Sequence, residues 1–166
     1  MTSPEPLLVL TTGGTIDKAY FDELSTYQVG ETQVARLLEL ARVALPVTVR
    51  SLMRKDSLEL DDADRAAIAA AVRGAEERRI VITHGTDTMT HTAAALGDVG
   101  DKTVVLVGAL APARFAESDA PFNLGMAVAT AQTAAPGVWI TMNGTVFAAD
   151  RVVKDRAQNR FVSREG

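Results

Sequence analysis

The chain has 166 residues, a length that suits one full-sized hydrophobic core and not two. Hydrophobic residues make up 47% and charged residues 23%. A net charge of −4 without a long basic run excludes the usual signature of nucleic-acid binding. The sequence contains no cysteine, which excludes disulfides, thiolate nucleophiles and cysteine-ligated metal sites.

The amino terminus lacks the basic region, apolar stretch and small-residue cleavage site of a signal peptide. No apolar stretch approaches the ~20 residues that a transmembrane helix needs. These features predict a cytoplasmic protein without a membrane partner, although a secreted chain whose leader has been removed would look the same. We expect residues 1–166 to form a single domain.

Strand-like and helix-like segments alternate along the chain. Apolar runs predict strands at Leu7 to Thr11, Val47 to Leu52, Arg79 to Thr83, Thr103 to Val107, Val138 to Met142 and, more briefly, Val146 to Phe147. Helical spacing predicts helices at Glu31 to Ala44, Asp61 or Asp62 to about Glu77, Met89 to Leu96, and Pro121 to about Thr133. This order predicts an α/β fold, a doubly wound, mainly parallel sheet with helices on both faces.

Two segments stand outside this regular alternation. The stretch from Gly13 to Gly30 is polar and long for a βα connection, and such length is typical of functional or mobile loops. The stretch from Lys154 to Gly166 is charged, and the sequence is compatible with either a docked arm or a frayed tail.

Two hydroxyl-rich segments each follow a predicted strand. Thr12-Gly13-Gly14-Thr15-Ile16 follows the first strand, and Thr83-His84-Gly85-Thr86-Asp87-Thr88 follows the third. Ligands of open α/β sheets bind at such carboxyl strand ends, so both segments predict a site that uses hydroxyl groups. The simpler interpretations are a tight turn with Thr15 as a cap, and Asp87 or Thr88 as a helix N-cap.

A lysine near the carboxyl end completes a candidate catalytic group. Threonine is a weak nucleophile until a base takes its proton, so Thr86, Lys154 and Asp87 could serve as nucleophile, base and orienting acid. Taken alone, Lys154 is more simply a solvated lysine in a charged tail. His84 and His91 lack a third ligand nearby, and the sequence predicts no metal site.

These segments resemble the two signature segments of the bacterial-type L-asparaginase family. The resemblance continues through Tyr27-Gln28-Val29-Gly30, Ser118-Asp119-Ala120-Pro121-Phe122-Asn123-Leu124 and Met142-Asn143-Gly144-Thr145-Val146 to Lys154, and so covers nearly the whole chain in order. It implies hydrolysis of the side-chain amide of asparagine or a related small amide, with release of ammonia and no cofactor.

The resemblance also implies a role for each matching residue. Thr15 is the nucleophile and Tyr27, on a mobile lid, is hydrogen-bonded to it. Thr86, Asp87 and Lys154 form a second triad, and Asp87 also receives the α-ammonium of the substrate. The order in which the two threonines attack stays open. The implied substrate-binding positions are Gly14, Ser57 at the α-carboxylate, Thr86, Asp87, and the backbone at Ala109 near the amide oxygen.

The chain departs from the family pattern in three ways. A second aromatic pair, Tyr20-Phe21, precedes Tyr27, so the assignment of the lid tyrosine to Tyr27 depends on the residues that follow it. The family's usual chain continues into a smaller C-terminal domain that donates an acidic residue to a neighbouring site, and no residue here matches that acid. Leu58 stands where family members commonly carry a polar residue that touches substrate. Activity could therefore be weak or directed at a different amide. We expect a homo-oligomer, because an open cleft leaves apolar surface to be covered.

Three alternatives stay open at this point. The chain could be a non-catalytic domain or subunit that binds an amino acid. It could also be a fragment of a two-domain enzyme. A nucleotide-binding domain is the weakest alternative, because the first glycine segment lacks the third glycine and the immediate helix of a dinucleotide fingerprint.

Overall fold

The computed structural model describes residues 3–164. Its strands are β1 Leu7–Gly13, β2 Lys18–Phe21, β3 Thr26–Val29, β4 Val47–Lys55, β5 Arg79–Thr83, β6 Thr103–Val107, β7 Gly137–Met142, β8 Thr145–Ala148, β9 Val152–Asp155 and β10 Arg160–Ser163. Its α-helices are α1 Val34–Leu40, α2 Asp62–Gly74, α3 Met89–Leu96 and α4 Ala120–Thr133. None of these helices is both long enough and apolar enough to cross a bilayer.

Six strands form the central sheet in the order β4-β1-β5-β6-β7-β8. The first five strands in that order run parallel, and β8 pairs antiparallel with β7. After β1 the chain moves to one side of that strand to form β4, and it then crosses to the other side to form β5. The carboxyl ends of β1 and β5 therefore lie at the point where the winding reverses, which is where open α/β sheets bind ligands.

Helices cover both faces of the sheet, as the strand-helix alternation predicts. On one face, Leu8, Ile80 and Ile82 pack with Ile68 and Val72 of α2 and with α3. On the other face, alternate residues of the same strands pack with α1 and α4. The three inner strands β1, β5 and β6 are buried on both sides, which explains why they are continuous apolar runs in the sequence.

Local sequence explains where the helices begin. The side chain of Asp61 accepts the N–H of Asp64 at 2.8 Å, and the Asp64 carboxylate accepts the N–H of Asp61, so α2 starts with a capping box. Pro121 lies in the first turn of α4, where its missing N–H costs no helical hydrogen bond. Both starts agree with the sequence prediction.

Two segments differ from the prediction, and the structure decides between the two alternatives that the sequence left open for a third. The stretch from Gly13 to Gly30 contains an antiparallel hairpin, β2–β3, whose mostly exposed residues give no apolar run to detect. Helix α1 is shorter than Glu31 to Ala44, and Arg42 just beyond it has a positive φ of 51° that ends helical geometry. The carboxyl-terminal stretch forms a second hairpin, β9–β10, docked through Val152 and Phe161; Glu165 and Gly166 lie outside the described residues.

Candidate active site

The two hydroxyl-rich segments are in direct backbone contact. Gly14 has a φ of +87°, and a Cβ atom there would collide with the backbone of Gly85. The hydroxyl of Thr12 donates to the carbonyl of Thr83 at 2.8 Å and ties the ends of β1 and β5 together. Only a residue without a side chain allows this approach, so Gly14 brings the first hydroxyl-rich segment against the second.

A third segment, after β4, closes the same crevice. Ser57 is buried, and a Cβ atom at Gly85 would lie only 2.6 Å from the Cβ of Ser57. The hydroxyl of Thr88 donates to the carbonyl of Ser57 at 2.8 Å. Thr88 occupies the N-cap position of α3 but makes no capping hydrogen bond with its side chain. Its hydroxyl instead holds the Ser57 segment in place.

Lys154 reaches the crevice from β9. Its Nζ donates to the Oγ1 of Thr86 at 2.8 Å and to the Oδ1 of Asp87 at 2.8 Å. The side chain of Lys154 is only 13% exposed, so the ammonium is not a solvated tail charge. The ion pair with Asp87 fixes the amine against the Thr86 hydroxyl. A partly desolvated amine in this position can exchange a proton with that oxygen.

Thr15 begins the short turn that follows Gly14. It is half-buried, and its hydroxyl makes no hydrogen bond to any residue in the range 3–164. Gly14, and not Thr15, occupies the N-cap position of that turn, so the capping role does not apply. A threonine hydroxyl at a strand end without a structural partner is available to a ligand.

Tyr27 lies on the β2–β3 hairpin and is 49% exposed. Its ring packs against Tyr20 across the hairpin at 5.3 Å between centroids and edge-on against Phe115 at 5.9 Å. Within the described part of the chain, its hydroxyl makes no hydrogen bond to Thr15. The arrangement keeps Tyr27 on the surface of the hairpin, beside the crevice.

Asp17 fastens the base of this hairpin and was not singled out by the sequence. Its carbonyl accepts the N–H of Gly30 at 2.9 Å, and its Oδ1 accepts the N–H of Gln33 at 2.9 Å. Burial raises the pKa of Asp17 to about 6, although the hydrogen bonds from the Gln33 N–H and the Thr32 side chain and the charges of Arg114 and Arg54 oppose the shift. The only indication of this role in the sequence is that Asp17 directly follows the first hydroxyl-rich segment, which ends at Ile16.

His84 is a fully buried structural residue. Its Nδ1 lies 2.7 Å from the carbonyl of Gly85, which can only accept, so Nδ1 carries the proton and Nε2 accepts from the Thr92 hydroxyl. Burial lowers the pKa of His84 to about 4. His91 is exposed on α3, and within residues 3–164 no group of three or more acidic or histidine side chains is placed to hold a metal.

The backbone of Ala109 lies just beyond the end of β6, close to Thr86. Ala109 is buried, and a Cβ atom at the preceding Gly108 would collide with the carbonyl of His84 and approach the Cγ2 of Thr86 to 3.2 Å. The end of β6 is thereby packed against the second hydroxyl-rich segment. The structure brings Gly14, Ser57, Thr86, Asp87, Lys154 and the backbone near Ala109 into one region.

A polar cleft of about 400 Å³ opens beside this region, between the β2–β3 hairpin and the end of β4. An ion pair of 2.9 Å joins Lys18 to Asp56, the residue before Ser57. Tyr27 also borders the cleft, so the β2–β3 hairpin forms one of its walls. The full lining is Lys18, Tyr27, Gln28, Val29, Arg54, Asp56 and Glu59.

Comparison with known proteins agrees with this geometry. The family model described as Asparaginase, N-terminal, matches residues 6–163. The glutaminase-asparaginase of Acinetobacter glutaminasificans is 34% identical over an alignment that covers 96% of this chain and 53% of that protein. The solved structure of the thermostable L-asparaginase from Thermococcus kodakarensis has a TM-score of 0.84 at 32% identity, covering 95% of this chain and 51% of that one.

A second solved structure gives the same result. The probable cytoplasmic L-asparaginase from Campylobacter jejuni has a TM-score of 0.82 at 31% identity, covering 96% of this chain and 53% of that one. The chain thus spans about half the length of the relatives that it matches. The resemblance inferred from its signature segments is confirmed: the chain belongs to the asparaginase family and corresponds to the N-terminal part of its longer members.

Proposed function

We propose that this chain hydrolyses the side-chain amide of asparagine or a related small amide through a threonine nucleophile. The observation that carries the proposal is the contact of Lys154 with both Thr86 and Asp87, at 2.8 Å each, in the crevice where Gly14 meets Gly85. A solvated lysine in a tail would not make these two contacts. In its deprotonated form, an amine held against this hydroxyl is the proton acceptor that threonine chemistry needs.

The reaction proceeds by acyl transfer. The Oγ1 of Thr15 attacks the amide carbon, the nitrogen leaves as ammonia after it takes up a proton, and water then cleaves the ester to release the carboxylate and regenerate the threonine. Lys154, Thr86 and Asp87 carry the protons, and they activate either the attacking hydroxyl or the water.

Electrostatic stabilisation comes from groups beside the hydroxyls. The backbone near Ala109 and Thr86 lie where charge develops on the amide oxygen, and donors aimed at that oxygen contribute most to acyl transfer. Asp87 receives the α-ammonium of the substrate and Ser57 its α-carboxylate. Tyr27 reaches Thr15 when the hairpin closes over the bound amide, since the hairpin keeps it outside in the open chain.

The preferred amide and the assembly belong to the same proposal. Leu58, which is 67% exposed next to Ser57, offers no polar contact, so a substrate group at that position is bound less tightly than by a polar residue. The chain works as a cytoplasmic homo-oligomer without a cofactor. The oligomer covers exposed hydrophobic side chains outside the β2–β3 hairpin, such as Leu40 and Phe122.

Ammonia release over a panel of small amides tests the proposal, with asparagine and glutamine as the first two compounds. We expect the wild-type chain to release ammonia and Thr15→Ala to abolish it. Thr133→Ala is the matched control, because this exposed threonine near the end of α4 bonds only within its helix. A folded wild-type chain that releases no ammonia from any amide, yet binds one, would support a non-catalytic binding domain instead.

A further inference from the structure

The start of α4 holds the loop that follows β6. Asp119 occupies the N-cap position of α4, yet its carboxylate makes no capping hydrogen bond. It accepts instead the N–H of Leu110 at 2.9 Å and the N–H of Ala111 at 3.0 Å. Hydrogen bonds to a charged acceptor are roughly twice as strong as neutral ones, so this carboxylate is a firm anchor for the loop.

Two neighbours complete the arrangement. Ser118 caps α4 in place of Asp119, because its Oγ accepts the N–H of Ala120 at 3.0 Å while its hydroxyl donates to the carbonyl of Ala111 at 2.9 Å. Asn123, only 2% exposed, donates to the carbonyl of Gly108 at 3.0 Å and to Asp119 at 2.8 Å. We call Ser118, Asp119 and Asn123 the α4 clamp.

The α4 clamp fixes the loop on both sides of Ala109. It holds Gly108 before that residue, and Leu110 and Ala111 after it, while none of these contacts uses a backbone group of Ala109 itself. Gly108 lies against the Cγ2 of Thr86, where a Cβ atom would come within 3.2 Å. The clamp therefore sets the distance between the Ala109 backbone and Thr86 and leaves that backbone available to a ligand.

We infer that Asp119 and Asn123 are positioning residues for the amide hydrolysis proposed above, on which this inference rests. They act through the loop and do not touch the substrate. Their contribution is to hold the Ala109 backbone at a fixed position beside Thr86 before the substrate arrives. Pre-positioned groups of this kind lower the barrier because no reorganisation is needed when charge develops.

The test compares Asp119→Asn with the wild type. The Oδ1 of Asp119 accepts both N–H groups, so an asparagine with its oxygen in that position keeps both bonds but lacks the negative charge that strengthens them. Its NH₂ group then faces the Nδ2 of Asn123, and because both groups are donors, that hydrogen bond is lost. We expect kcat to fall by about tenfold to 10²-fold, the scale of a small misplacement of reacting groups, while KM changes by less than about threefold. Asp98→Asn is the matched control, because Asp98 accepts the N–H of Gly100 at 2.8 Å in a separate turn.

A second variant provides the test if Asp119→Asn does not fold. Asn123→Ser removes the contact to the Gly108 carbonyl and keeps the Asp119 carboxylate, and we expect the same fall in kcat with little change in KM. Hydrogen exchange gives a readout independent of activity: the amide protons of Leu110 and Ala111 should exchange faster in Asp119→Asn than in the wild type.

The outcomes separate the two claims. Unchanged kcat in both folded variants, or a kcat loss that follows only a loss of folded protein, overturns the clamp and leaves the proposed function standing. Unchanged exchange at Leu110 and Ala111 overturns the clamp as well. Absence of ammonia release by the wild type overturns the proposed function and, with it, the catalytic purpose of the clamp.

Discussion

The Nζ of Lys154 donates a hydrogen bond of 2.8 Å to the Oγ1 of Thr86, although 68 positions separate the two residues in the chain. The contact joins the β9–β10 hairpin to the crevice at the carboxyl end of the parallel sheet. Asp87 accepts a second bond from the same ammonium, so the lysine is held by two acceptors from consecutive residues. This pair of contacts leads directly to the first prediction.

Lys154→Met should remove the proton acceptor and leave the aliphatic packing of the stem. We expect kcat for ammonia release to fall by about 10²–10⁴-fold, the usual contribution of a positioned acid or base. Lys102→Met is the control, since Lys102 is also partly buried but donates only to the backbone carbonyls of Ala75 and Glu77, between α2 and β5. Equal activity of both variants would contradict the role of Lys154.

Gly85→Ala should destabilise the fold and disrupt the crevice together. The new Cβ would lie 2.6 Å from the Cβ of Ser57, and overpacking of this kind costs ~1–3 kcal/mol. Gly125→Ala is the contrasting change, because no atom lies within 4 Å of a Cβ there and alanine favours the helix by ~0.5–1 kcal/mol. Urea denaturation of both variants measures the difference, and a neutral Gly85→Ala would show that the two segments can separate.

Asp17 should make the folded chain less stable as the pH rises. Its pKa is raised to about 6 in the fold from 3.8, so the native state binds the proton more tightly than the unfolded chain does. This stabilising contribution is complete below pH 3.8 and is lost as the pH rises through 6. Asp17→Asn, which keeps an oxygen for the Gln33 N–H, should gain about 3 kcal/mol relative to wild type between pH 4 and 7.

His84 should have the opposite effect over nearly the same range. Its pKa is lowered to about 4 in the fold from 6.5, so between these pH values the unfolded chain binds a proton that the native state does not bind. The stability that the neutral ring contributes is complete above pH 6.5 and is lost as the pH falls through 4. Relative to wild type, His84→Gln should become more stable by about 3 kcal/mol from pH 7 to pH 4.

These two titrations offset each other between pH 4 and 6. The wild-type free energy of unfolding should therefore receive almost no net slope from them in that interval, whereas each single variant should reveal the slope of the other group. Parallel profiles for wild type, Asp17→Asn and His84→Gln would contradict both assignments. Denaturant titrations at pH intervals provide the measurement.

The parallel core could be predicted from the sequence because its strands are buried on both faces. The predicted bounds Arg79 to Thr83 and Thr103 to Val107 are those of β5 and β6, and Met89 to Leu96 are those of α3. The hairpin strands β2 and β3 gave no comparable signal. Most of their residues are exposed, and what holds them is cross-strand pairing and the buried carboxylate of Asp17, neither of which is visible in hydrophobic periodicity.

The candidate site likewise contains residues that could be predicted from the sequence and residues that could not. Residue chemistry suggested Thr86, Asp87 and Lys154 as a catalytic group, but Lys154 taken alone was more simply a solvated lysine, and only the family resemblance favoured the catalytic interpretation. Asp119 has the residue type and position of an ordinary helix cap, and its actual partners are backbone groups of Leu110 and Ala111. A side chain whose hydrogen-bond partners are backbone groups of another segment leaves no pattern in the sequence around it. The role of Asp119 could therefore not be predicted from the sequence.

The position of the β9–β10 hairpin imposes an order of assembly during translation. The walls of the crevice come from segments made before residue 112, whereas the amine of Lys154 and its docking residue Phe161 are among the last parts of the described chain to leave the ribosome. A nascent chain can complete its parallel strands while both threonines still lack their basic neighbour. A protease that cuts the turn between β9 and β10 would likewise separate Lys154 from its docking residue Phe161 without cutting the central sheet.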